Sequence, residues 1–186
     1  MKRKQAQLSF ENLDKKGSDA FGGTLMKKAK GRTFRPLESK RPIHLVMRSS
    51  VAKSDWSMRY ISNKSKIDGL VQKIARRYSV RLLEYSNNGN HLHLLIRISN
   101  RRAYQSFIRV LTAAIALKIT GASKIKKLKR RFWDFRPFSR IVRGYRGYKI
   151  ARDYVVLNAL EAMGMIPYQP QRLKAQSNGS LARVFN

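Results

Sequence analysis

Apolar and polar residues alternate most regularly in a stretch near the middle of the chain, from His91 to Ile98. The apolar positions are Leu92, Leu94, Ile96 and Ile98, and the other face carries His91, His93, Leu95 and Arg97. Such alternation is typical of a β-strand with one face on a core. Asn88-Gly89 just before it favours a tight turn, so Val80–Tyr85 is the expected partner strand. The pattern therefore predicts a β-hairpin that presents two histidines on one surface.

Helical periodicity flanks this hairpin on both sides. Before it, an apolar stripe consists of Ile67, Leu70, Val71, Ile74, Ala75 and Tyr78. Ser65 and Asp68 have capping-box spacing at the start of this helix. After the hairpin, a second helix is predicted from about Arg101 to Ile119, with Gly121 ending it.

Two further strands and a third helix complete the pattern. The strands are expected at 43–48 and 138–142, and the helix from near Tyr148 to Gly164. The order β-α-β-β-α-β-α predicts an α+β, ferredoxin-like split βαβ fold. Its antiparallel four-stranded sheet would carry helices on one face, with one extra C-terminal helix. On that last helix Tyr154, Asn158 and Glu161 share a sector of about 60°.

Charge changes the picture more than any other bulk property. The chain has 41 Lys and Arg against 10 Asp and Glu, a formal net charge of +31. This excess favours a polyanionic partner, with nucleic acid ahead of a membrane surface or an acidic protein. The absence of cysteine excludes disulfides and thiolate zinc sites, and it fits a reducing, cytoplasmic setting. Without a run of 18 apolar residues, no membrane span is expected.

Composition also divides the chain into three parts. Residues 1–40 mix Lys, Arg, Gly and Ser with few apolar residues, which predicts a basic, mostly disordered arm that contacts phosphates or aids solubility. Residues 41–164 form the folded domain. Residues 165–186 are rich in Pro, Gln and Ser, which is typical of a tail.

A dense basic run lies between the second helix and the last strand. It is followed at once by Phe132, Trp133, Phe135 and Phe138. Cations interleaved with aromatic rings suit a single-strand binding groove, because bases stack on rings while cations follow the phosphates; a solvated face is the alternative. The candidate phosphate contacts in the run are Lys126, Lys127, Arg130 and Arg131.

The histidine pair is a candidate metal site. Residues two apart on one strand face are about 6.5 Å apart, so two imidazoles can reach one cation. The alternative is a half-buried strand that happens to show two histidines. His44 alternates with the core-facing row of the first strand, which favours a packed or hydrogen-bonded histidine over a ligand.

Three motifs together resemble those of one family. They are His91-Leu92-His93, Tyr154-Val155-Val156-Leu157-Asn158 followed by Gly164, and Trp-x-x-Arg-Pro-Phe at Trp133 to Phe138. They resemble the single-tyrosine HUH transposases, especially the REP-associated tyrosine transposases and related IS200-like transposases. The similarity covers about residues 41–164.

The resemblance implies a function and roles for particular residues. His91 and His93 would coordinate Mg²⁺ or Mn²⁺ with Asn158, and Glu161 competes for the third position. Tyr154 would attack a phosphate of hairpin-containing single-stranded DNA, leaving a covalent 5′-phosphotyrosine and a free 3′-hydroxyl. Imidazole suits Mn²⁺ better than Mg²⁺. Tyr145 and Tyr148 are rival nucleophiles, expected in a loop without an Asn one turn later.

The resemblance also implies partners. Arg136, Arg140 and Arg143 are expected phosphate contacts, beside the aromatic segment and leading into the tyrosine helix. A homodimer is possible, with the tyrosine and the histidines supplied by the same or by different subunits. Binding to DNA implies a nucleoid-associated protein in the cytoplasm of a prokaryote.

Two non-catalytic alternatives remain open. A basic ferredoxin-like domain can also hold RNA, although the His91 strand lacks the aromatic-rich Gly-Phe pattern of an RNA recognition module. A domesticated transposase could bind DNA hairpins without cutting them. The presence of all three motif positions argues mildly against the second alternative.

Overall fold

The computed structural model describes residues 35–123, 125–128 and 130–169, together with a two-residue strand at 21–22. The strands are β1 (Phe21–Gly22), β2 (Ile43–Arg48), β3 (Val80–Asn87), β4 (His91–Ile98) and β5 (Phe138–Ile141). The helices are α1 (Lys64–Arg77), α2 (Arg101–Thr120) and α3 (Gly144–Ala162), with a 3-10 turn at Ser54–Trp56.

The strands form one sheet in the order β1-β5-β2-β4-β3, with every neighbouring pair antiparallel. The four longer strands have the predicted ferredoxin-like arrangement, so the fold prediction is confirmed. Strand β1 was not predicted, because two residues are too few for apolar periodicity to reveal. It pairs with Arg140 and Ser139 at the edge of the sheet. The rest of the expected disordered arm, residues 1–20 and 23–34, and the tail from 170 onward lie outside the described residues.

Helices α1 and α2 cover one face of the sheet. Their buried side chains pack on the apolar rows of β2 and β4, which include Ile43, Leu45, Leu92, Leu94 and Ile96. The predicted capping box is wrong: the residue before α1 is Asn63, which makes no cap, and Asp68 instead accepts hydrogen bonds from Tyr85 Oη at 2.9 Å and Lys64 Nζ at 3.2 Å. The Asp68 carboxylate therefore bonds to Tyr85 on another element instead of capping the start of its own helix.

The predicted hairpin turn is present, with Gly89 at its first central position and a φ of +85°. A Cβ at this position would lie 2.8 Å from Ser57 Oγ, so both the conformation and the space favour glycine. Asn88 therefore lies at the edge of the turn, where its side chain can reach other elements.

Helix α3 packs on the opposite face of the sheet, where Leu95 contacts Val142 and Ala151. It begins at Gly144, one turn earlier than predicted, so Tyr145 and Tyr148 lie in a helix and not in a loop. Tyr148 packs against the Leu95 cluster. This contact explains the longer helix, because tertiary packing provides most helical stability.

The aromatic segment after the basic run is part of the fold. Phe132 and Phe138 are buried, and Trp133 Nε1 donates to the carbonyl of Thr112 at 2.9 Å. The backbone N–H of Asp134 donates to the carbonyl of Arg48 at 3.0 Å, and its carboxylate accepts from Ser50 N at 2.8 Å. The predicted base-stacking role is therefore wrong for Phe132 and Phe138, since burial removes both rings from any ligand.

None of the helices in the described ranges is long and apolar enough to cross a bilayer.

Candidate active site

Three histidines lie together on the α3 side of the sheet. His93 and His91 are on β4, with ring centroids 4.8 Å apart. His44 lies on the neighbouring strand β2, and its Nε2 is 3.2 Å from His93 Nδ1. The antiparallel register pairs His44 with Leu95 and Val46 with His93, which makes the two histidines diagonal neighbours on one face.

Hydrogen bonds set the orientation of the His91 and His93 rings. His91 Nδ1 lies 2.6 Å from Asn90 Oδ1, and because an amide oxygen only accepts, this nitrogen must donate. His93 Nε2 is buried and has no hydrogen-bond partner within the part of the chain that the structure describes. An unpartnered buried nitrogen is costly unless something binds it.

Burial keeps His44 and His93 neutral. Desolvation lowers the pKa of His44 to about 4, and the charge of Arg140 acts in the same direction. Desolvation also lowers the pKa of His93, helped by charges on His91 and His44. A neutral imidazole retains the lone pair that a metal ligand needs.

Tyr154 on α3 lies over the histidines of its own chain. Its ring centroid is 5.2 Å from that of His93 and 5.7 Å from that of His44, both in edge-to-face geometry. Ala151 and Val155, three before and one after it, are fully buried and anchor the helix to the sheet. Tyr154 itself is only half-buried. The motif tyrosine therefore contacts His93 of its own chain, and His91 lies next to His93.

A chain of hydrogen bonds orients Asn158, one turn after Tyr154. Ser86 Oγ donates to Asn88 Oδ1, and Asn88 Nδ2 donates to Asn158 Oδ1 at 3.2 Å. Asn158 Nδ2 in turn donates to the carbonyl of Tyr154 at 2.6 Å. In both amides the oxygen accepts a hydrogen bond and the nitrogen donates one. The Asn158 oxygen keeps a second lone pair for another partner.

The donors available for a metal are two imidazoles and one amide. Among the described residues no three His, Cys, Asp or Glu side chains form a group that could hold a metal, so Glu161 does not complete a set with His91 and His93. Glu161 Oε1 accepts from the backbone N–H of Gln169 at 2.7 Å. The unpartnered buried Nε2 of His93 fits Mn²⁺ or another transition metal, since these ions accept imidazole.

The predicted phosphate contacts fall into two groups by burial. Arg140 is 8% exposed and lies opposite His44 in register. The other predicted phosphate contacts are exposed side chains: Lys126, Lys127, Arg130, Arg131, Arg136 and Arg143. Arg130 borders an open depression of about 600 Å³ with Trp56 and Lys53 on its wall.

Sequence reasoning did not anticipate the contacts of His44, Asn88 and Ser86. The alternation along β2 does place His44 on the face opposite Ile43 and Leu45, and this was the available signal. This alternation does not show which strand lies beside β2 or in which register the two strands pair. The contact between His44 and His93 depends on both.

Comparison with known proteins agrees with the fold and with the family resemblance. The family model described as "Transposase IS200 like" matches residues 38–156, well over half of the chain, and ends two residues before Asn158. No curated protein matches the chain in sequence.

Two solved structures are similar. One is a REP-associated tyrosine transposase bound to a REP hairpin, with 12% identity and a TM-score of 0.52, over 82% of this chain and 87% of that one. At this identity the match supports the fold alone. A second, assigned as a transposase of Deinococcus radiodurans R1, has 17% identity and a TM-score of 0.43, over 72% of this chain and 98% of that one. On the family match, this chain belongs to the IS200-like transposases.

Proposed function

We propose that this transposase is a metal-dependent single-strand DNA endonuclease and strand transferase, with Tyr154 as its nucleophile. The observation that carries the proposal is the position of the Tyr154 ring, 5.2 Å from His93 and in the same chain. His91, His93 and Asn158 would hold Mg²⁺ or Mn²⁺, and Asn158 is preferred to Glu161 because its oxygen faces the turn that leads into His91.

A tyrosine hydroxyl ordinarily has a pKa near 10 and needs help to attack a phosphate. A divalent cation held by the two histidines would supply charge stabilisation at the phosphate oxygens. The Tyr154 oxygen then forms a bond to phosphorus, and its proton leaves to solvent. The bond from phosphorus to the 3′ oxygen breaks, and that oxygen takes up a proton as a 3′-hydroxyl. A 5′-phosphotyrosine remains, which a 3′-hydroxyl can attack in reverse to join strands.

Arg140 is the buried cation that we assign to the phosphate of the reacting strand. It lies beside His44 on the site face of the sheet, where low polarity strengthens its interaction with an anion. The exposed cations, from Lys126 to Arg143, would hold the remainder of the DNA, in keeping with the net charge of +31.

Hairpin-containing DNA is the proposed substrate. The support is the similarity in fold to a transposase that was solved with a REP hairpin, together with the positive charge of this chain. Since that substrate is genomic DNA, we expect the protein at the nucleoid of a prokaryotic cell.

The experiment is an adduct assay. Full-length protein is incubated with labelled single-stranded DNA that contains a hairpin, plus Mn²⁺, and denaturing gels are examined for a protein–DNA band. We expect an adduct with the wild type and none with Tyr154→Phe, while Tyr145→Phe and Tyr148→Phe still form it. His91→Ala should abolish the adduct and leave most salt-sensitive binding. An equal adduct with Tyr154→Phe would overturn the assignment of the nucleophile. No adduct with the wild type under any divalent metal would leave a non-catalytic DNA-binding protein.

Subunit contributions are testable in the same assay. Because Tyr154 lies on its own chain's His93, we propose that each chain completes its own site; the homodimer stays a prediction. Mixing Tyr154→Phe with His91→Ala should then restore no adduct. Recovery of the adduct in the mixture would show that the tyrosine acts on the histidines of a second chain.

A further inference from the structure

His44 lies outside the motifs and has no role in the proposed reaction. We propose that His44 is a positioning residue: its Nε2 accepts the hydrogen of His93 Nδ1 and so turns the lone pair of His93 Nε2 towards the divalent cation. This inference rests on the proposed function, because it assigns the residue that prepares one of the two histidine ligands.

The geometry of the pair is that of an in-plane hydrogen bond. The His44 and His93 rings are nearly parallel, at 10°, with centroids 5.4 Å apart, while the two nitrogens are only 3.2 Å apart. The nitrogens therefore lie between the two centroids, and the rings meet edge to edge. This is the direction in which a ring N–H and a ring lone pair point.

The tautomer follows from which nitrogen donates. A neutral imidazole has one N–H, so a hydrogen on His93 Nδ1 leaves the lone pair on Nε2. The opposite assignment would put an N–H on a buried Nε2 that has no acceptor within the described part of the chain. Only the donating assignment leaves a lone pair on His93 Nε2 that can bind a cation.

His91 shows the same arrangement. Its Nδ1 donates to Asn90 Oδ1, which leaves the lone pair on its Nε2. Each motif histidine thus has an acceptor at Nδ1, Asn90 for His91 and His44 for His93. Acceptors of this kind fix the tautomer of metal-binding histidines and raise their basicity.

The fold holds His44 firmly in this position. β2 is hydrogen-bonded on both sides, to β4 and to β5, with His44 opposite Leu95 and Arg140.

The test combines nitrogen NMR with metal titration. In the full-length protein labelled with ¹⁵N-histidine and without metal, long-range ¹H–¹⁵N spectra should show His93 protonated on Nδ1. Titration with Mn²⁺ alone should give a dissociation constant at least tenfold larger in His44→Phe than in the wild type. This substitution keeps an aromatic ring and removes the nitrogen that accepts the hydrogen bond. His44→Gln, whose amide oxygen can reach the position of Nε2, should recover most of the affinity.

Thermal unfolding shows whether each variant is folded. If His44→Phe does not fold, the role of His44 is decided by the tautomer of His93 in the wild type and by the Mn²⁺ affinity of His44→Gln. A wild type that binds Mn²⁺ but carries the His93 proton on Nε2 overturns the role of His44, as does Mn²⁺ binding unchanged in a folded His44→Phe. Both results leave the proposed function standing. A wild type that neither binds Mn²⁺ nor forms the DNA adduct overturns both.

Discussion

Asn88, at the edge of the hairpin turn, donates a side-chain hydrogen bond of 3.2 Å to Asn158 on α3, 70 residues later in the chain. The turn leads directly into His91, and Asn158 lies one helical turn after Tyr154. One polar contact therefore joins the strand of the candidate metal ligands to the helix of the candidate nucleophile. Ser86 fixes the orientation of the Asn88 amide by donating to its oxygen.

Replacing Asn88 with alanine removes the donor that orients Asn158. We expect adduct formation to slow about tenfold, as is typical when a residue behind a metal ligand is removed. The free energy of unfolding should fall by about 1 kcal/mol, the usual net contribution of one hydrogen bond. Single-turnover adduct assays and urea unfolding measure the two effects.

A matched control for Asn88→Ala is Gln105→Ala, at an exposed position of α2 on the other side of the sheet. It should leave both the adduct rate and the stability close to wild type. If Asn88→Ala also leaves the adduct rate unchanged, the hydrogen bond to Asn158 has no part in the reaction.

Stability should fall on acidification between pH 6.5 and about 4, the window set by the lowered pKa of His44. The unfolded chain takes up a proton on this histidine as the pH falls through 6.5, whereas the folded protein does not until about pH 4. The unfolded state binds more protons in this window, so the free energy of unfolding decreases, by about 3 kcal/mol from His44 alone.

Burial lowers the pKa of His93 as well, which adds to the loss of stability in the same direction. Urea unfolding of wild type and His44→Phe at several pH values checks the effect. The wild type should lose more stability than the variant on going from neutral to acidic pH. Parallel curves for the two proteins would show that His44 does not titrate in this way.

Trp133→Phe tests whether the aromatic segment has a structural role. The substitution removes the hydrogen bond from Nε1 to the carbonyl of Thr112 and keeps an aromatic ring. We expect a decrease of about 1 kcal/mol in the free energy of unfolding. Affinity for single-stranded DNA, measured by fluorescence anisotropy, should stay the same; a clear drop in affinity at unchanged stability would restore the base-stacking role for this residue.

The basic run should account for part of the salt dependence of DNA binding. Changing Lys126, Lys127, Arg130 and Arg131 together to glutamine should reduce the slope of log K against log salt by up to about 4, one for each phosphate that is no longer neutralised. Anisotropy titrations over a range of salt concentrations give this slope.

The control for the basic run makes the same charge change elsewhere. It replaces four exposed cations of α1, on the face of the sheet away from the histidines: Lys66, Lys73, Arg76 and Arg77. This variant should change the slope less. Equal changes in the two variants would mean that net charge, and not the position of the run, sets the affinity.

The sequence by itself determined most of the secondary structure and the relations within single elements. Alternation along β4 placed His91 and His93 on one face, and helical spacing placed Asn158 one turn after Tyr154. These relations depend only on the repeat of the backbone, which any strand or helix obeys. The order of the predicted elements in turn sufficed to predict the ferredoxin-like sheet.

Only the tertiary structure decided what these elements meet. His44 and His93 are 49 residues apart, and their contact depends on the pairing and register of β2 with β4. Asp68 has the spacing of a cap but bonds to Tyr85, and Phe132 is buried where its surroundings in sequence suggested exposure. In each case a local pattern was compatible with two outcomes. The outcome depended on contacts between distant segments, which form only when the whole core is assembled.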